Sequence, residues 1–246
     1  MKPATGDYRQ AIYASYLTGQ GEESPETIAA HIRVRANHCA RIIRDFFPAD
    51  RNASILELGC GHGALLYHAQ AAGYHNIRGV DTSPEQIAAG RRFGVGNLAQ
   101  GDCFETLAQC ADASVDAVVA LDVIEHFTKP ELCRLTAEVA RVLKPGGRWI
   151  IHCPNGESPF GSRMRHWDFT HELSFTRHSL RQLLSAFGFR AVDCCEDGPV
   201  PHGARSVARL ALWRTVHAIL RAWLIVETGQ IDTPIFTQNL FCVARK

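Results

Sequence analysis

At 246 residues the chain is long enough to bury one large α/β core or, at most, two small ones. Hydrophobic residues make up 46% and charged residues 21%, ordinary globular values, and a formal net charge of +1 leaves no global field to recruit nucleic acid. The opening MKPATGDYRQ has no apolar stretch after its basic residue, which argues against a secretory leader. Nine cysteines without any C-x-x-C spacing argue for small core thiols in a reducing, cytoplasmic setting.

In chain order, the first signal is Ser24-Pro25-Glu26, an N-cap, a first-turn proline and an acid where the helix dipole favours one. A single helix is predicted from about Thr27 to Phe47, stopped by Pro48. Strand-like runs follow at Ser54–Leu58, Ile77–Asp81, Leu98–Asp102, Val115–Leu121, Arg148–Cys153, Phe189–Cys195 and Leu240–Ala244. Ser83-Pro84-Glu85-Gln86 predicts a capping box before one intervening helix, and Thr128-Lys129-Pro130-Glu131 predicts another. Strands alternating with helices predict a parallel sheet covered on both faces. The alternation ends after Cys153.

The strongest local pattern is Ile55-Leu56-Glu57-Leu58-Gly59-Cys60-Gly61-His62-Gly63, an apolar strand running into a glycine-rich turn and then an apolar helix. Glycines there let the backbone pass a ligand where a Cβ would collide. Asp81 ends the next strand 22 residues after Gly59, where Rossmann-type sites place a carboxylate for ribose hydroxyls. Asp102 closes the third strand, within reach of an adenine amine. A dinucleotide site wants G-x-G-x-x-G to seat a pyrophosphate on the helix N-terminus. Here the spacing is G-x-G-x-G, and Glu57 would repel a pyrophosphate while suiting an amino-acid ammonium.

Glu57-x-Gly59-x-Gly61-x-Gly63, Val80-Asp81, Gly101-Asp102, Asp116–Ile124 with Glu125-His126, and Leu143-Lys144-Pro145-Gly146-Gly147 together resemble the ordered motifs of class I S-adenosylmethionine-dependent methyltransferases over about residues 50–155. The resemblance implies a Rossmann-like seven-stranded sheet of order 3-2-1-4-5-7-6, strand 7 antiparallel, with helices on both faces. It implies S-adenosyl-L-methionine as cofactor, with Glu57 and the Gly59-Cys60-Gly61 loop near its methionine part. Asp81 and the following Thr82 would serve the ribose, Asp102 and Cys103 the adenine, and Leu121 would line the pocket through its backbone. On this basis residues 1–246 form one domain: a helical cover over 1–50, a cofactor-binding core over 51–155, and acceptor-side elements over 156–246.

Beyond the fifth expected strand, Pro154-Asn155-Gly156 and His166–Thr176 read as a loop, followed by a helix from Ser179 to Phe187 ended by Gly188. These stretches resemble methyltransferases of polysaccharide and O-antigen biosynthesis clusters, which implies a sugar-hydroxyl acceptor. A hydroxyl acceptor must lose its proton, and histidine is the usual group for that near neutral pH. His171 is the expected base, with Asp168 to orient it, and His126 is the second candidate. Packing beside the cofactor stays open for His126, and pinning the loop stays open for His171. His152, His166, His171 and His178 have no regular ligand spacing, so no metal is expected.

An insertion over residues 198–236 precedes the last strand and contains a helical run over about 204–226. Leu212, Trp213, Val216, Ile219, Leu220, Trp223 and Leu224 share one arc of a wheel drawn at ~100° per residue. Arginines interrupt the run, so a bilayer-spanning helix is disfavoured. The expected role is packing on the body or against a second copy in a homodimer, the alternative a peripheral contact with the inner face of the membrane. The expected activity is O-methylation of a sugar hydroxyl on a polysaccharide or its nucleotide- or lipid-linked precursor. A quinone or other small-molecule acceptor, or a non-catalytic cofactor-binding module, are the alternatives.

Overall fold

The computed structural model of the chain describes residues 8–21, 24–229, 231 and 234–246. Four helices, α1 (Tyr8–Ala14), α2 (Tyr16–Gln20), α3 (Pro25–Val34) and α4 (Ala36–Phe46), precede strand β1 (Ile55–Leu58). Then come α5 (Ala64–Ala71), β2 (Ile77–Asp81), α6 (Pro84–Phe93), β3 (Leu98–Gln100), α7 (Cys103–Ala108) and β4 (Val115–Leu121). A 3-10 turn (Ile124–His126) leads into α8 (Lys129–Val142), β5 (Leu143–Pro154), α9 (Gly161–Arg165), α10 (Arg177–Ala186), β6 (Ala191–Glu196), α11 (Ala204–Thr228) and β7 (Asn239–Arg245).

The strands form one sheet in the order β3-β2-β1-β4-β5-β7-β6, with β7 antiparallel to both its neighbours and the other pairs parallel, the expected topology. Period-2 alternation divides each central strand between two cores. Val118 and Ala120 of β4 face α7, α8 and α10, while Ala117 and Val119 face α4, α5 and α6. Leu58 pairs with Val80 on one side and Ala120 on the other. That register delivers Gly59, Asp81 and Leu121 to the same carboxyl edge, where open α/β sheets bind ligands. All nine cysteines are free thiols and six are buried, in keeping with a packing role.

Several local expectations are corrected. The single helix over 27–47 is two, because Arg35 separates α3 from α4. The break lets Ile28 and Ile32 pack with Ala64 and Ala89 while Cys39, Ile42 and Ile43 pack on the sheet side; no Gly or Pro marks it. Ser83 caps α6, but Gln86 turns away to His62 Nδ1 (3.1 Å), so there is no reciprocal box. The Thr128–Glu131 box is present. α10 starts two residues before Ser179, with Thr176 as its cap and Ser179 as the reciprocating partner. β5 begins at Leu143 rather than Arg148, β6 at Ala191 rather than Phe189, and β3 stops at Gln100 because Asp102 is taken up as the α7 cap. The 166–176 stretch is preceded by a short helix, α9, that carries no sequence signal.

Helix α11 divides the expected apolar arc. Trp213, Leu220 and Leu224 are half-buried and Trp213 lies against Gly198, whereas Leu212, Val216, Ile219 and Trp223 are exposed. No helix among the described residues is long and apolar enough to cross a membrane. Trp213→Ser should therefore lower stability by about 1–3 kcal/mol, below the ~3–5 kcal/mol of a fully buried aromatic because Trp213 is half-buried. Trp223→Ser, at an exposed position, should stay within about 0.5 kcal/mol of the parent. Urea unfolding of both variants checks the difference; equal losses would place Trp223 in a contact as well.

Candidate active site

At the end of β1, Gly59 (φ +65°) and Gly61 (φ +55°) adopt left-handed backbone that side chains disfavour. A Cβ on Gly59 would lie 2.4 Å from Val123 Cγ2, so the turn has no room for one. The Cys60 side chain packs against Gly79 and is buried, leaving its backbone to the loop. Asp81 accepts from the Gly61 N–H through Oδ2 (2.8 Å) and from the Ser83 N–H through Oδ1 (2.8 Å). Two backbone donors thus fix both oxygens, and each keeps a second lone pair free. Burial pushes the Asp81 carboxyl up, and the two N–H groups oppose that.

Glu57 is buried, its Oε2 has no hydrogen-bond partner, and burial pushes its carboxyl up to about 8, with the Arg35 charge pulling the other way. An orphaned buried carboxyl oxygen beside a glycine loop fits the ammonium of an amino-acid moiety, which would supply the missing donors. Asp102 Oδ1 caps α7, accepting from Phe104 N–H (2.7 Å) and Glu105 N–H (3.3 Å). Its carboxylate is thus committed in part to the helix. Cys103 lies in the first turn of α7, buried, and bonds with the Gly59 backbone. Thr82 is exposed at the turn after Asp81, and Leu121 ends β4 opposite His152. The structure thus brings Glu57, Gly59, Cys60, Gly61, Asp81, Thr82 and Leu121 to one edge, with Asp102 and Cys103 at the adjoining loop.

Two groups of side chains lie beyond Leu121. Asp122 has a left-handed backbone (φ +55°) that turns its carboxylate back to His152, whose Nδ1–H donates to Asp122 Oδ1 (2.7 Å) and Nε2–H to Asp197 Oδ2 (3.2 Å). Burial alone would lower the His152 imidazole; the two carboxylates overcome it and raise it to about 10. The second group is Glu125, His126 and His171. Glu125 is completely buried, neither carboxyl oxygen has a partner, and burial followed by the Asp122 charge pushes it well up. His171 Nδ1–H donates to the Met164 carbonyl (2.9 Å), and its Nε2 stands 3.9 Å from Glu125 Oε1.

Asp168 does not orient His171, as the sequence led us to expect. It accepts from the Thr170 N–H (2.8 Å) and Thr170 Oγ1 (2.7 Å), and Thr170 in turn meets His126 Nδ1 (2.7 Å). Since the Thr170 hydroxyl gives its proton to Asp168, His126 Nδ1–H is the donor to Thr170, and the lone pair of the neutral ring lies on Nε2. Burial and the neighbouring His171 lower the His126 pKa and favour that neutral form. The loop is stitched to the turn by Glu172 and Leu173 N–H groups on the Glu125 carbonyl (2.8 and 3.0 Å).

The N-terminal helices close over this group. Arg9 donates to the His126 carbonyl (3.1 Å) and forks onto Glu131, Tyr8 bonds Glu172, and Tyr16 donates to Asp168 (3.4 Å). Tyr13 bonds the Thr170 side chain, and burial pushes its phenol up to about 12. The sequence reading missed Arg35, Tyr13, Glu125 and the His152 network. Only Glu125 carried a signal, its place beside His126 in the matched motif.

Fold and site define the Rossmann-like S-adenosylmethionine-dependent methyltransferase class, and comparison with known proteins agrees. Residues 30–193 match the family model described as a methyltransferase domain, and the chain belongs to that family. It is 32% identical over 107 residues to a ubiquinone biosynthesis O-methyltransferase of Xanthomonas oryzae pv. oryzae, covering 42% of this chain and 44% of that protein. The chain thus matches under half the length of that relative. Solved structures share the fold: a SAM-dependent methyltransferase of Archaeoglobus fulgidus has a TM-score of 0.62 at 22% identity, covering 98% of this chain and 100% of that one. Phosphoethanolamine N-methyltransferase 2 of Haemonchus contortus, in complex with S-adenosyl-L-methionine, has a TM-score of 0.63 at 15% identity, covering 95% of this chain and 60% of that one.

Asp81→Ala should remove two charge-assisted hydrogen bonds to the cofactor, each worth roughly 1.5–3 kcal/mol. Calorimetry should find S-adenosylmethionine bound at least about tenfold more weakly; unchanged affinity would remove Asp81 from the site. A second expectation concerns His152. Its folded pKa is raised from 6.5 to about 10, so its contribution to stability is complete below pH 6.5 and is lost as the pH rises through 10. Unfolding free energy should fall across that window with a slope approaching ~1.4 kcal/mol per pH unit. In His152→Gln the slope should be shallower, most clearly between pH 8 and 10, above the Glu57 pKa of about 8, measured by denaturant titration at stepped pH.

Proposed function

We propose that this enzyme transfers the methyl group of S-adenosylmethionine to a hydroxyl of a sugar, on a polysaccharide or its nucleotide- or lipid-linked precursor. The observation that carries this reading is the chemistry of the acceptor side. Asp168, Thr170, Tyr13, Tyr16 and His126 form one hydrogen-bonded network beside His171, so the loop expected to face the acceptor is polar, where an apolar aglycone would want aliphatic walls. Trp167 and Phe169 stand exposed on the same loop, aromatic faces of the kind that stack on sugar rings. A small-molecule acceptor such as a quinol is the second reading, supported by the name of the Xanthomonas relative.

S-adenosylmethionine supplies a sulfonium methyl that an oxygen displaces in line. The chain supplies position and a proton acceptor. Glu57 would hold the methionine end of the cofactor and Asp81 its ribose, and the register of β1, β2 and β4 fixes them relative to the turn that bears Glu125 and His126. In the free protein His171 Nε2 and His126 Nε2 carry the lone pairs that take the acceptor's proton as its oxygen bonds the methyl carbon. The N-terminal helices bridge that loop and turn through Tyr8, Arg9 and Tyr16.

His171→Ala should lower turnover by roughly 10²–10⁴-fold while the dissociation constant for S-adenosylmethionine stays unchanged. Radiolabelled methyl transfer to a panel of nucleotide sugars, glycolipid extracts and demethylated quinols tests the acceptor. Label in the quinol fraction alone would overturn the sugar reading.

A further inference from the structure

Glu125 is a carboxyl with no exposure, and among the described residues neither of its oxygens has a hydrogen-bond partner. An unpartnered buried carboxyl costs stability. What surrounds it explains its retention. One nitrogen from each of His126 and His171 and one Glu125 oxygen lie within 4.8 Å of one another. Each imidazole is held by its other nitrogen, His171 on the Met164 carbonyl and His126 on the Thr170–Asp168 chain. Metal-ligating histidines are oriented in this way: the far N–H donates to a carbonyl or a carboxylate-backed partner, and the near lone pair is left for the ion.

We infer that Glu125, His126 and His171 form a site for one first-row divalent metal ion of the zinc type. Two imidazoles and one carboxylate suit such an ion and leave at least one coordination position for a water or a hydroxyl. Spacing along the chain did not contain this set. Glu125 and His126 come from the turn after β4 and His171 from the acceptor loop, joined only through the bonds of Glu172 and Leu173 to the Glu125 carbonyl. The other cluster of similar composition, His38, His152 and Asp197, is different in kind. Both His152 nitrogens donate to carboxylates and Arg41 occupies Asp197 (3.2 Å), so that cluster is already neutralised by its own cations.

Only the catalytic consequence rests on the proposed acceptor chemistry. An acceptor hydroxyl on the ion would have a lowered pKa and would release its proton to solvent water, with His126 and His171 acting as ligands instead of bases. Binding is tested without any acceptor, so its failure and the failure of the sugar reading are separate results. The full chain, dialysed against chelator, is titrated with ZnCl2 by calorimetry and with CoCl2 by visible absorption. One equivalent of zinc should bind, and the cobalt form should show d–d bands of a low-coordinate nitrogen and oxygen site.

Glu125→Gln and His171→Ala should each weaken zinc binding by more than about tenfold and abolish the cobalt bands. Asp81→Ala and His152→Gln should leave both intact. Circular dichroism verifies folding; should Glu125→Gln unfold, His171→Asn on the loop carries the test. No binding by the parent protein, equal binding by the Glu125 and His171 variants, or loss on His152→Gln would overturn the proposal.

Discussion

Four carboxyl groups, Glu57, Asp81, Asp122 and Glu125, sit within the compass of three adjacent strand ends, and the chemistry of the site follows from how each is compensated. Glu57 and Glu125 are buried, so each must find donors or a counter-charge, or remain protonated, while Asp81 is half-buried and Asp122 more exposed. Asp81 is answered by two backbone N–H groups, which leaves it polar and fixed. Asp122 is answered by the His152 imidazolium, which Asp197 shares from the other side. Among the described residues Glu57 Oε2 and both oxygens of Glu125 have no hydrogen-bond partner, with only the Arg35 charge acting on Glu57 and His171 Nε2 3.9 Å from Glu125 Oε1. A fold that buries carboxyl groups and withholds their partners has reserved those positions for cations from outside. An ammonium at Glu57 and a metal ion at Glu125 are the two that the surrounding donors and lone pairs suit.

The backbone makes this concentration of acids possible. Parallel strands whose register aligns Leu58 with Val80 and Ala120 must end together, so residues one step further on become neighbours without contact in sequence. The charge of Arg35, carried by the break between α3 and α4, lowers both Glu57 and Asp122. The break therefore has a local electrostatic use as well as a packing one. Helices α1 and α2 add a second bracing: Arg9 joins the His126 carbonyl to Glu131, and Glu85 accepts from the Leu17 and Thr18 N–H groups. The cover is tied to α6 on the cofactor side and to the 166–176 loop on the acceptor side, so neither half can shift far without the other.

What the sequence revealed and what it hid divide along the range of the interactions. Strand runs, the glycine turn and Asp81 were legible because alternation, φ demands and strand-end chemistry act within a few residues of themselves. Ser24 and Thr128 were legible as caps for the same reason. Gln86 was misread because a long-range partner, His62, outbid the local N–H of Ser83. Asp168 was misread likewise: proximity to His171 in sequence suggested a dyad, yet Thr170, nearer still, captured both the carboxylate and the His126 ring. The break at Arg35 had no local signal at all, since every residue around it tolerates a helix.

The same contrast explains why Glu125 was passed over as a ligand. In sequence it is one half of the Glu125-His126 pair in the motifs that carry the family resemblance, next to a histidine that already had a catalytic reading. Its peculiarity is visible only in three dimensions, as a fully buried carboxyl without a hydrogen-bond partner among the described residues. Sequence patterns record which residues are present, and unsatisfied valence records what they are waiting for. In this site the second kind of information assigns the two orphaned carboxyls to different ligands. Glu57 faces the glycine turn that an amino-acid group can enter, while Glu125 faces two imidazoles that can only share a metal ion or a proton with it.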